Sequence, residues 1–155
     1  MKIQTQSVCE VIDGTDEKML SFFEETKKEL GITSTQKVAE LITKIFSGIR
    51  RTLSENETSE LLRELSDLLQ LLFISNWKYE EGSRKKAEHL DELVESIFYD
   101  DRRSAHSLFH SEIETLNAVV VILGKLDKML GILNFPGFSF MLVQEIRQAT
   151  LEDAA

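Results

Sequence analysis

Residues 38–53 read VAELITKIFSGIRRTL, and their apolar positions decide the fold. Val38, Leu41, Ile42, Ile45, Phe46, Ile49 and Leu53 follow i, i+3, i+4, i+7, i+8, i+11 and i+15. That spacing gathers them into one wide stripe on a helix, where a strand would need strict alternation. No stretch alternates convincingly, although residues 2–12 are ambiguous. With one proline and seven glycines to interrupt it, the chain reads as all-α, an antiparallel bundle of about six helices. The expected core includes Val38, Leu41, Ile45, Ile49, Leu62, Leu65, Leu69, Leu72, Val94, Ile97, Val120 and Leu123.

Capping chemistry sets the boundaries. Thr15 with Asp16 and Glu17 suits a helix N-terminus, and Gly31 tolerates the left-handed conformation that ends one, so a first helix runs from about Asp16 to Leu30. Thr33 or Ser34 caps the second, which continues to Thr52. Ser54-Glu55-Asn56-Glu57 is a capping box that opens a third helix, expected to run unbroken to about Asn76. After Glu81-Gly82-Ser83 a fourth helix spans Arg84 to Tyr99, and DDRRS is a polar joint. A fifth runs from Ala105 to Leu130, as one piece or with a break near Asn117, and stops at Gly131. NFPGFSF is a turn, and Ser139 to Thr150 a last helix.

A chain of 155 residues fits a single helical domain spanning 1–155, with possible repeat units at 16–79 and 84–151. Net charge is −9, from 27 acids against 18 bases. Such a surface repels a phosphate backbone, so nucleic acid is not an expected partner. The basic pairs, Arg50-Arg51 among them, read as solvated helix ends. Neither AVVVILG (118–124) nor LLQLLFI (68–74) approaches the roughly 20 apolar residues that span a bilayer. No membrane partner is expected. A lone cysteine, Cys9, and an N-terminus without a secretory pattern fit a cytoplasmic location.

The candidate sites are few. In HSLFHSE (106–112), His106 and His110 stand four apart, a spacing that puts two imidazoles on one helical face, half of a zinc site. Ser107, Leu108 and Phe109 intervene, so the glutamate of a HExxH motif is missing. On a continuous helix Ala105, Phe109, Ile113, Leu116, Val120 and Leu123 share the inward face and the histidines lie on its flank, with Glu112 in another sector. The expectation is no metal and no cofactor, with His106, His110 and Glu112 as the residues any metal would use. Glu10 beside Cys9 and Asp13 beyond it oppose a thiolate, and no phosphate-binding glycine loop or nucleophile elbow occurs. Most aromatics read as cover for the core. Trp77 and Tyr79 in NWKYEEG, with Phe135 and Phe138 in NFPGFSF, are the ones that would serve a binding patch.

Several segments together resemble a known family: a helix ending in Leu30-Gly31, then AELITKIFSGIRRTL, SENETSELL, a Leu-rich helix closing on an aromatic before Trp77, and HLDELVESI (89–97). The resemblance is to the domain-of-unknown-function 2267 family of small bacterial proteins, and it covers about Glu17 to Phe98. It departs at ELSDLLQ (64–70), where that family usually carries Gln-Leu-Pro. The resemblance implies two similar helical units in tandem and brings no catalytic residues. It implies that His89 makes an interhelical polar contact.

Two functions are consistent with these features. The first is a non-catalytic helical protein that binds another protein or itself, since bundle grooves receive helices and the run Val119 to Leu123 would need a second copy, as a homodimer, if the chain leaves it incompletely covered. The alternative is a metal-dependent or catalytic bundle built on His106, His110 and nearby carboxylates.

Overall fold

A computed structural model describes residues 17–75 and 86–154. Seven α-helices and one 3₁₀ turn lie among these residues, with no strand: α1 Glu17–Leu30, α2 Thr35–Thr52, α3 Glu55–Glu64, α4 Asp67–Ile74, α5 Leu90–Arg102, α6 Glu112–Leu130, the turn Ile132–Asn134, and α7 Phe140–Ala154. The all-helical bundle is therefore observed. The expectations at residues 1–16, and those for Trp77, Tyr79 and Arg84, lie outside the described residues.

Two helices carry the core. The α2 stripe packs on α1, α4, α5 and α6, and Val38, Ile42, Ile45 and Phe46 are fully buried. Ser34 caps α2 by accepting the Lys37 amide at 3.2 Å, and Gly31 ends α1 with φ of 66°. Helix α6 packs on α1, α2, α5 and α7. Its apolar run, Ala118 to Gly124, is buried all round within this one chain, so its cover is internal and no longer calls for a second copy. Gly48 lets α5 approach α2 closely: a Cβ there would lie 2.3 Å from Ile97 Cγ1.

Several boundaries differ from expectation, three of them for a local polar reason, and the last helix runs on to Ala154, past the expected Thr150. The third helix breaks at Leu65-Ser66, both extended, and the Gln70 side chain donates to the carbonyls of Leu62 and Leu65 at 3.0 and 3.1 Å, taking the place of helix bonds. After this break Leu62 is only half-buried, and Leu61 is the buried residue. The fourth helix begins at Leu90 rather than Arg84, because the Glu92 carboxylate accepts the Glu88 and His89 amides at 3.2 and 3.0 Å and fixes the N-terminus there. That helix continues through Asp100 and Asp101 to Arg102, so the first part of the expected DDRRS joint is helical. The fifth helix starts at Glu112, not Ala105. Ser111 caps it, accepting the Glu114 amide at 3.1 Å. In its first turns Ile113 (80 % exposed) and Leu116 are left outside the core, while Val120 and Leu123 on the same arc further along are buried, as are Thr115 and Ala118.

The Arg50-Arg51 pair is likewise not a solvated helix end. Arg50 is 1 % exposed, donates to the Phe73 carbonyl and stacks 5.7 Å from the Phe73 ring centre. Arg51 crosses to α5, reaching the Ser96 carbonyl at 3.1 Å and Asp100 at 3.2 Å. Both follow from α2 being central: its last turn has neighbours on either side, so its arginines meet acceptors across the seam, Arg51 in addition to Ser47 of its own helix at 3.0 Å.

Candidate functional site

The polar side chains of the bundle gather first at the connection between α5 and α6. Asp101 is fully buried at the end of α5. Its carboxylate accepts the amides of Leu108 (3.0 Å) and Phe109 (2.9 Å) and pairs with Lys44 of α2 at 2.6 Å. Its backbone carbonyl accepts the hydroxyls of Ser104 and Ser107. Lys44 completes the tether by donating to Ser104 Oγ at 2.8 Å and the His106 carbonyl at 3.2 Å. One buried carboxylate thus organises the whole turn, and a buried charge needs such a set of donors to be tolerated.

This tether displaces the histidines from their expected place. His106 and His110 lie on the non-helical connection, exposed, and Glu112 is exposed in the first turn of α6. His106 takes part through its backbone carbonyl, and the His110 amide donates to Glu114 at 3.4 Å. The i, i+4 geometry that would aim two imidazoles at one ion is absent because no helix joins them. Among the described residues no group of three or more His, Cys, Asp or Glu side chains is placed to hold a metal.

A second set of polar contacts fastens α7. His89 Nδ1 lies 2.9 Å from Glu145 Oε1, an interhelical contact from the start of α5 to α7. The hydrogen bond to Glu145 raises the His89 pKa above its ordinary 6.5, against a smaller desolvation effect. Ser139 Oγ donates to the Glu88 carbonyl at 2.9 Å, and Arg147 binds Asp127 (3.2 Å) and Asn134 (2.9 Å). Glu57 of the capping box is held below the usual carboxylate range by the Ser54 amide that it accepts. Phe135 and Phe138 meet edge to face at 5.6 Å between ring centres; Phe135 is 5 % exposed and Phe138 half-buried against the core. They close the bundle instead of standing outside it. Gly137 fits beneath, where a Cβ would lie 2.5 Å from the Phe135 ring.

The outward face of α7 is different. Leu142, Val143 and Ile146 point inward, yet Phe140 is 74 % exposed, Leu151 67 % and Met141 50 %. At about 100° per residue, Phe140, Leu151, Gln144, Gln148 and Met141 occupy one arc of about 100°. No charged residue falls in that arc, on a chain of which 29% is charged. Glu145 and Glu152 border it on one side. Arg147 borders it on the other and is turned toward Asp127. Spacing alone carried this signal, since Phe140 and Leu151 stand eleven apart with glutamines between, but inward and outward arcs of a helix apolar on both cannot be told apart without its neighbours.

No family model matches the chain, and no curated protein or solved structure matches it either. No helix among the described residues is long and apolar enough to cross a membrane.

Proposed function

We propose that this is a non-catalytic helical protein that acts by binding another protein, with the outward face of α7 as the contact surface. The observation that carries this reading is the uncovered Phe140, Met141 and Leu151 on a helix whose inward residues Leu142, Val143 and Ile146 are buried. Large apolar side chains clustered outside a finished core are characteristic of contact surfaces. The buried and half-buried charges support it from the other side. Asp101, Lys44, Arg51, Asp127 and Arg147 each hold a connection or a helix seam, so their polar atoms are engaged in the fold and frame no reaction centre.

The test is site-specific photocrosslinking in the protein's own cells. A photoreactive residue at Gln144 should give a discrete adduct with another protein, and the same residue at Glu60, exposed on α3, should not. Absence of any adduct at Gln144 would overturn the reading, and stoichiometric metal that is lost in His106→Ala would favour a metal-dependent bundle in its place.

A further inference from the structure

The α7 surface also has a chemistry that narrows its occupant, granted that it is a docking face at all. We infer that it receives an amphipathic helix of another protein, one that carries lysines or arginines along one edge of its apolar stripe. The face is a single convex helix of 15 residues, Phe140–Ala154. A helix laid alongside can seat its ridges in the grooves between Phe140, Gln144 and Leu151, the usual way in which helices pair.

Charge gives the polarity of the partner's edge. Glu145 and Glu152 form one border of the arc, and the cation at the other border, Arg147, is already bound to Asp127 and Asn134. The exposed rim is therefore acidic, on a chain of net charge −9. Complementary rims raise association rates and reject like-charged partners. Glu145 is shared with His89, 2.9 Å away, as Arg147 is with Asp127, so the freer charge of the rim is that of Glu152. Gln144 suits the same occupant, because it offers a donor and an acceptor to a partner side chain and carries no charge to be desolvated, whereas Gln148 already donates to Glu152 at 3.4 Å.

A second copy of this chain fits less well. It would bring the same two glutamates to the opposite rim. Three apolar side chains per copy also fall well short of the roughly 800 Å² per partner that stable interfaces bury. A weak, charge-assisted helix contact matches both features.

The probe is a synthetic amphipathic leucine–lysine helix of about four turns, titrated against the full chain at pH 8 by fluorescence anisotropy, beside a peptide with every lysine replaced by glutamate. The lysine peptide should bind at least about tenfold more tightly than the glutamate peptide. Its binding should weaken with added salt. It should fall about tenfold in Phe140→Gln/Leu151→Gln, whose sites are exposed, and by a smaller factor in Glu152→Gln. Equal binding of the two peptides, or binding of the lysine peptide that the double variant leaves unchanged, would overturn the inference. So would an adduct at Gln144 with a second copy, or with a partner segment that is acidic. Adducts of those kinds leave self-association or protein binding standing as the function, whereas a face that yields no adduct removes both.

Discussion

The Asp101 connection and the outward face of α7 are opposite solutions within one bundle. At Asp101 the chain buries a charge and supplies it with two amides and a lysine, while the Ser104 and Ser107 hydroxyls bind the same residue's backbone carbonyl, so a segment without helix is held in one conformation. On α7 the chain keeps regular helix and leaves large apolar side chains without cover. The first region is chemically rich and turned inward; the second is chemically plain and turned outward. The contrast teaches that polar density marks where this fold holds itself together, and that large apolar side chains can stand outside the core it closes.

Removing the charge at the first region should have the largest effect. Asp101→Ala leaves the Leu108 and Phe109 amides without their acceptor and Lys44 without its ion-pair partner, held only by Ser104 and the His106 carbonyl, and loss of one partner from a buried ion pair destabilises by about 3–5 kcal/mol. Urea denaturation should show that loss, together with faster hydrogen exchange at residues 104–109. A change below about 1 kcal/mol would mean that water replaces the carboxylate and that the connection is not a tether.

Next comes the seam that carries Lys44 to Asp101. Gly48→Ala gains helix propensity of up to about 1 kcal/mol, yet its Cβ would meet Ile97 at 2.3 Å. Overpacking of this kind destabilises by about 1–3 kcal/mol, so a net loss of thermal stability is expected. A stabilised variant would show that α2 and α5 can separate without harm.

The fastening of α7 should respond to pH. Because the folded pKa of His89 is raised, its pairing with Glu145 contributes stability that is fully present below about 6.5 and is lost as pH rises through the folded value. Thermal melts should show wild type declining relative to His89→Gln over that window, by a small amount that salt reduces, since both side chains are well exposed. Parallel curves would remove His89 from the fastening.

Much of the bundle was legible in the sequence where local chemistry and tertiary packing agree. The α2 stripe, the Ser54 capping box and the glycines at 31 and 131 are self-sufficient signals, because spacing, cap and left-handed turn act within a few residues. The 103–111 connection was not legible. Leu108 and Phe109 continue a helical pattern, and only Asp101, brought in from the preceding helix, captures their amides. Arg50 misled for a similar reason: a basic pair at the end of a helix is ordinarily solvated, and its burial depends on Phe73, 23 residues away. At the candidate site the histidine pair was read from spacing that the tether abolishes. The exposed face of α7 could be recognised only after α6 had taken the other side.

The smallest effect on stability, and the largest on function, is expected at that face. Phe140→Gln/Leu151→Gln alters side chains that lie outside the core, so its melting curve should stay within about 0.5 kcal/mol of wild type. The decisive measurement combines this variant with the photoreactive residue at Gln144 in the protein's own cells. The account predicts that the folded double variant loses the adduct that the wild-type background gives. An adduct of undiminished yield from the double variant would contradict it, because the partner would then be held by some surface other than the apolar face of α7.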